Sequence, residues 1–436
     1  MALRGPDHQT ILGALSAKGP ATSLELQAAT GKSQPSVSRL LGELSSDVLT
    51  LDRGRATRYG LAKSIHGLPA QQPLWWIAED GEPQRMGTLS FLAGDMVHVD
   101  SPAARGLSQG RLPWYLAPLR AQGFLGRLLA QRLGPFGLGT NPERWGIEST
   151  LFAALQLHDA PGAIVLGEPK GVARQLTLPA RAAGMPAALD ALASDVAKTL
   201  PVGSSASGEQ PKFLAMLDAG THVLVKFTPP RGTPFGDRWH DLLHAEALAA
   251  QVLARHGVPV AACRVIESAR RTYLVSERFD RIGATGRRHA VSIGAVHDDF
   301  VAGSYNHWAG TCEALARQGR LAAIGAAQAR ALLDYGRLIG NTDMHSGNLS
   351  LLTSREGLAK GRFELAPVYD MLPMCWRPDP NLGGAADYAP FEPDPTSAAS
   401  PARAPAREFW SGLAAGERVS PALRRVAIAM ADRLRA

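Results

Sequence analysis

The sequence predicts an α+β protein of two or three domains, the first a small unit of three helices closed by a hairpin. Three observations carry this. At 436 residues the chain exceeds what one core usually holds. Apolar residues recur at helical spacing in three short N-terminal segments, and strand-like alternation and amphipathic helical runs are mixed through the remainder.

In the first unit, Ile11, Leu12 and Leu15 lie at helical spacing between His8 and Lys18, and Gly19-Pro20 ends the pattern. Thr22 or Ser23 caps a second helix carrying Leu24, Leu26 and Ala28, which stops at Gly31. The third, "KSQPSVSRLLGELSS", has Ser33 as N-cap, Pro35 in its first turn, and Val37, Leu40, Leu41 and Leu44 as the buried stripe. "VLTLDRG" and "RATRYGLA" then form a hairpin around Gly54. Three helices plus a hairpin make a winged helix, assigned to residues 1–67. Gln34, Ser36, Ser38 and Arg39 are donors suited to base edges and phosphates in a major groove, and Arg53, Arg55 and Arg58 on the hairpin suit the phosphate backbone. "QPSVSRLLGEL" resembles the recognition helix of bacterial winged-helix repressors. A winged helix used for dimerisation or protein contact is the alternative.

Pro, Ala and Gln between Leu68 and Pro73 suggest a linker. In the second unit, residues 74–200, "GTLSFLAGDMVHVD" reads as a hairpin turning at Gly94-Asp95. "PWYLAPLRAQGFLGRLLAQRLG" reads as a surface helix with a solvated basic face. Trp75, Trp76, Trp114 and Trp145 are assigned to packing.

The third unit, residues 201–436, holds three constellations. "VGSSASGEQPKFL" offers backbone N–H groups, with Gly208 among them, that can wrap phosphates, although it is no Walker A loop. In "HVLVKFTPP", Lys226 ends an apolar strand, where a charge requires an anion. About twenty residues on, the amphipathic "HAEALAAQVLARHGVPVA" carries Glu246, and a strand lysine paired with a helix glutamate is how kinases orient lysine on the α/β phosphates. "YLVSERFDR", with Glu277 and Phe279, resembles a hinge that cradles adenine through main-chain groups. In "GNTDMHSGNLSLL", Asp343 precedes Asn348 by the spacing of a kinase catalytic loop, and Asp370 in "FELAPVYDML" follows where a kinase keeps a second metal-binding Asp. Mg²⁺ takes such hard oxygen ligands together with nucleotide phosphates.

"SASGEQPKF", "ERFDR", "NTDMHSGNLSLL" and "LAPVYDML" resemble the signature segments of the HipA family of bacterial serine/threonine kinases, toxins of HipA/HipB systems. The resemblance runs from about Leu74 to the C-terminus, since "GTLSFLAGDMVHV" is similar to the family's N-terminal subdomain. It implies a two-lobed, kinase-like fold with a β-rich N-lobe and a helical C-lobe, using ATP and Mg²⁺. It further implies Asp343 as the catalytic residue, Asn348 and Asp370 as metal ligands, Lys226 as ATP-binding, His345 as support for the loop, and Ser205 as the autophosphorylated serine, with Ser204 and Ser207 as alternatives. The family suggests a translation component as protein substrate. A homodimer is a further expectation. A winged helix in the same chain departs from the family's usual division of labour with a separate antitoxin.

The bulk properties fit. A net charge of +7 permits a polyanionic partner without requiring one. Cys263, Cys312 and Cys375 lack a C-x-x-C pair, as expected of a reducing cytoplasm. The N-terminus lacks a signal-peptide core, and no window reaches the roughly 18 apolar residues of a membrane helix. Competing readings are a transcriptional regulator whose kinase-like part senses nucleotide, and a DNA-directed, Mg²⁺-dependent nuclease.

Overall fold

The computed structural model describes residues 5–435 apart from positions 53, 55, 56, 158, 171–175, 180–183, 200–209 and 380–386. Helices α1 (Pro6–Lys18), α2 (Ser23–Thr30) and α3 (Gln34–Glu43) precede strands β1 (Val48–Leu51) and β2 (Arg58–Leu61), which pair antiparallel. The three helices and the hairpin occur in the expected order, packed around Ile11, Leu15, Leu26, Val37, Leu40 and Leu44. A reciprocal capping box between Thr22 and Glu25 fixes the start of α2. Ser33 occupies the N-cap of α3 but gives no side-chain cap; its hydroxyl meets that of Ser36 at 3.1 Å.

The expected linker is a correction. Gln71–Pro73 pair with Ser90–Thr88 as the first residues of a strand, the Phe91 N–H donates to Ala70, and Ile65 is fully buried. Composition suggested a loop, but neighbouring strands supply these residues with ladder partners. The hairpin of the winged helix also docks on this sheet, through Ala93 N–H to Leu61, Lys63 N–H to Phe91, and an Asp52–His98 contact of 3.2 Å.

Strands β3 (Gln71–Ile77), β4 (Pro83–Leu92), β5 (Met96–Asp100) and β6 (Gly106–Gln109), with β7 (Ile164–Leu166) beyond helices α4 (Gly123–Leu133) and α5 (Ile147–Gln156), form a sheet of order β6-β5-β4-β3-β7. The β4–β5 connection is a three-residue loop, Ala93–Asp95, with positive φ at Gly94 (75°) and Asp95 (54°). The single surface helix expected after Pro113 is instead a 3₁₀ segment, Trp114–Leu119, followed by α4. Trp114, Tyr115, Leu116 and Leu119 are buried, so this stretch is core. Trp76 is buried too, and the Trp145 indole donates to the Gly139 carbonyl at 2.7 Å.

A second sheet of order β11-β12-β10-β9-β8 forms the N-lobe. In chain order its parts are β8 (Thr177–Leu178), α6 (Met185–Thr199), β9 (Lys212–Leu217), β10 (His222–Phe227), α7 (Pro234–Arg255), β11 (Cys263–Glu267) and β12 (Thr272–Glu277). β8 runs parallel to β9, and Met185, Leu189 and Ala193 of α6 pack on Phe213 and Val225. The boundary expected at residue 200 therefore falls inside this lobe, because β8 and α6 cover a sheet face that would otherwise stay wet.

The C-lobe follows: β13 (Arg281–Ile282), β14 (Gly286–Arg287), β15 (His289–Ser292), α8 (Ile293–Phe300), α9 (Trp308–Arg317), α10 (Ala323–Leu338), β16 (Ser350–Thr353), α11 (Arg355–Lys360), β17 (Glu364–Leu365), α12 (Pro395–Ala398), α13 (Arg403–Ala415) and α14 (Pro421–Arg433). One apolar core runs from Leu74 and Trp76 of the second domain to Leu332 and Trp410 of this lobe. The Trp114 ring meets Phe300 and Phe363 at 5.6 and 5.1 Å. The chain from Pro390 to Phe409, though rich in Pro, Ala and Ser, contains α12 and the first half of α13, with Ala402, Ala406 and Phe409 buried. Pro395 and Pro405 fall in first helical turns, where no N–H is missed. Among the described residues no helix is long and apolar enough to cross a membrane.

Candidate active site

Lys226 lies on β10, the middle strand of the N-lobe sheet, and is buried. The anion its position demands is present twice: its ammonium donates to Glu246 Oε1 on α7 at 2.6 Å and to Asp370 Oδ1 from the C-lobe. Burial alone would lower the Lys226 pKa, but the Asp370 and Glu246 carboxylates override it and hold the ammonium well above its ordinary range. Burial lifts Glu246, only partly offset by Lys226. Asp370, whose side chain keeps 27% exposure, ends below the usual carboxylate range because Lys226 outweighs its desolvation. Asp370 also has φ of 61°, a left-handed conformation costly for a non-glycine residue and often met at functional sites.

The loop after α10 supplies the remaining groups. Asn341 is buried; its side-chain oxygen accepts the Asp343 N–H at 3.1 Å, and its amide donates to the Asp370 carbonyl at 3.3 Å. Asn348 donates to the Asp343 carbonyl at 2.7 Å and so closes the loop from the other side. The Asp343 carboxylate, the Asn348 amide oxygen and Asp370 Oδ2 make no hydrogen bond among the described residues, and the Asn348 and Asp370 oxygens are hard donors of the kind that suits Mg²⁺. His345 is exposed: Nδ1 accepts the Gly347 N–H at 2.9 Å, and its carbonyl accepts the Trp308 indole at 2.9 Å. Its contacts are those of a loop brace. Gly336 of α10 allows the loop to approach, since a Cβ there would stand 2.2 Å from Met344 Sδ.

The hinge segment has two kinds of residue. The Glu277 N–H donates to Ala262 and the Arg278 N–H to His222, which commits these amides to the sheet, whereas the Phe279 N–H has no acceptor among the described residues. The Phe279 ring stacks on Tyr369, next to Asp370, at 5.6 Å. Arg278, Asp280 and Arg281 instead face the second domain. Arg278 and Arg281 reach Asp159 at 2.8 and 2.7 Å, Arg281 reaches Asp280 at 2.6 Å, and Asp280 accepts the Gly162 N–H at 2.9 Å. The charged part of "ERFDR" is thus a buried clamp between domains, and the two arginines hold Asp280 far below the usual carboxylate range against the effect of burial.

Behind Glu246 and Asp370 a cavity of about 20 Å³, lined also by Cys263, Ser276 and Tyr369, has room for one water, and Glu246 Oε2 has no hydrogen-bond partner among the described residues. Ser204, Ser205, Ser207 and Gly208 lie outside the described residues. So do Arg53 and Arg55 of the winged helix; Gln34, Ser38, Arg39 and Arg58 are exposed, and Ser36 is half-buried against Ser33.

Sequence reading missed Asn341 and Asp159. Asn341 sits two residues before Asp343, the offset at which an Asn side chain bonds a backbone N–H in an Asx-turn, and that was the available signal. Asp159 lies in an unremarkable turn and carries no local signal.

Fold and site together define a two-lobed, kinase-like body preceded by three helices and a hairpin. A family model for the HipA-like C-terminal domain matches residues 204–428, and one for the YjjJ-like toxin middle domain matches residues 68–174. The chain is 34% identical over 434 residues to Toxin YjjJ of Escherichia coli strain K12, covering 96% of each. The chain belongs to the HipA-like toxin family. In shape it is similar to HipA of Shewanella oneidensis MR-1, solved with HipB and operator DNA (TM-score 0.49, 17% identity, 83% of this chain and 88% of that one), and more distantly to the Helicobacter pylori proinflammatory kinase CtkA (TM-score 0.33, 12% identity, 52% and 91%). Likeness at that level adds nothing to the family assignment.

Proposed function

We propose that the chain is an ATP- and Mg²⁺-dependent kinase that transfers the γ-phosphoryl group to serine or threonine hydroxyls of a protein, including its own Ser205. The observation that carries this reading is the convergence of Lys226, Glu246 and Asp370 from three elements, with Asn341 fastening the Asp343 loop to the same point. Bound Mg²⁺·ATP would supply the phosphoryl group and cationic charge to neutralise it. Asp370 and Asn348 would hold the metal through their oxygens. Lys226, held by Glu246, would present its ammonium to the phosphates. Asp343, its carboxylate free of other bonds, aligns the substrate hydroxyl and accepts its proton. The Phe279 N–H is the hinge group that adenine would meet. Phosphate on Ser205 would bring about two negative charges into the nucleotide loop and disfavour ATP.

The exposed Gln34, Ser38, Arg39 and Arg58 support DNA binding by the same chain, which gives it a means of regulating its own synthesis. A translation component is the protein substrate that the family resemblance favours. Incubation of the purified chain with γ-labelled ATP and Mg²⁺, and separately with plasmid DNA, tests the reading: label on serine or threonine with intact plasmid supports it, and nicked plasmid without label points to a nuclease.

A further inference from the structure

On the face of α7 away from the Lys226–Asp370 contact, His240 and His244, one helical turn apart, meet Glu267 at the end of β11. One donor atom from each lies within 4.8 Å of the other two. We propose that these three side chains form a binding site for a borderline divalent cation of the Zn²⁺ class, separate from the phosphotransfer site.

The geometry of the donors supports it. His244 Nε2 and Glu267 Oε1 stand 3.2 Å apart. Two ligands at tetrahedral angles on Zn²⁺ are about 3.3 Å apart, given metal–ligand distances near 2.0–2.1 Å. His244 Nε2 is buried, and its polar neighbour among the described residues is Glu267 Oε1, the carboxylate oxygen with which it would share a cation in place of a proton.

The surroundings act as an outer shell. The Arg418 carbonyl can only accept, so the 2.7 Å contact to His240 Nε2 fixes a proton there and leaves the lone pair on Nδ1. That Nδ1 now meets the Thr272 hydroxyl at 2.7 Å, a proton that can rotate away. Arg231 binds the other Glu267 oxygen, Oε2, at 3.0 Å and so turns Oε1 toward the histidines. The Arg418 guanidinium, 3.8 Å from Glu267 Oε1, opposes a cation, but it is 71% exposed and free to swing into solvent. A cleft of about 410 Å³ lined by His244, Leu248, Gln251, Arg264, Leu413 and Arg418 gives an entry path and room for a water as fourth ligand. Occupancy would tie α7 to β11 two residues from Glu246.

The test uses the full chain stripped with chelator, then titrated with Co²⁺ alone and Zn²⁺ alone. Expected are one equivalent of Co²⁺ with visible bands of nitrogen-ligated, four-coordinate geometry, displacement of those bands by Zn²⁺, and a Zn²⁺-induced rise in melting temperature. His244→Ala and Glu267→Gln should each weaken binding by about a hundredfold and remove that rise. The partly exposed Glu267→Gln keeps the test valid should His244→Ala fold poorly. Absence of stoichiometric binding, or unchanged bands in a folded Glu267→Gln variant, overturns the proposal.

Discussion

Asn341 bonds Asp343 and Asp370 at once, taking the N–H of the first at 3.1 Å and donating to the carbonyl of the second at 3.3 Å. It touches no reacting atom in this arrangement. It is a positioning residue, and Asn341→Ala should lower kcat by about ten- to a hundredfold while leaving the KM for ATP within a few-fold. Destabilisation by about 1–3 kcal/mol should accompany it, since two part-buried backbone groups lose their bonds. Asn341→Asp keeps the acceptor and should recover part of the rate; equal losses in both variants would show a purely structural role.

Asp280 lies between Arg278 and Arg281, and both arginines also hold Asp159. Asp280→Asn leaves two buried guanidiniums under-compensated and should cost about 3–5 kcal/mol in urea or guanidinium unfolding. A loss under about 1 kcal/mol would mean that the clamp does not join the domains.

His289 is buried, and that burial pushes its imidazole from 6.5 down to about 4. Between those values the unfolded chain binds a proton that the folded chain refuses. Stability is therefore complete above about pH 6.5 and falls as pH drops toward 4, by up to about 3 kcal/mol. His244, held neutral in the same way, adds to the slope. Melting temperatures from pH 7.5 to 4.5 should fall less steeply in His289→Gln than in the wild type.

Arg39 and Arg58 are exposed on α3 and the hairpin. Fluorescence anisotropy with duplex DNA should show binding that weakens with salt, and Arg58→Ala should reduce the magnitude of the log–log salt slope by about 1 if it meets a phosphate. Arg39 is within 3.9 Å of Glu43, so Arg39→Ala should show a smaller change.

Much of this site was legible before the fold. A lysine closing an apolar strand required an anion, and Glu246 on the next helix was the one it met. The spacing of Asp343 and Asn348 placed both on one loop, joined by a 2.7 Å bond. What stayed hidden depended on partners distant in sequence. Asp280 and Arg281 read as hinge residues because Asp159, 122 positions before Arg281, announced nothing. In the Pro-rich stretch before Phe409, composition does not reveal that Pro395 and Pro405 sit in first helical turns. The segment 177–199 fell to the wrong domain because a two-residue strand, β8, has no periodicity to detect.

The most direct measurement is phosphoryl transfer from γ-labelled ATP by the wild-type chain and by Asp343→Asn, with nucleotide affinity followed in parallel. The account predicts labelled serine or threonine from the wild type, at least about a hundredfold less from a folded Asp343→Asn, and ATP binding preserved in both. Undiminished transfer by Asp343→Asn, or none by a wild-type chain that binds Mg²⁺·ATP, would contradict it.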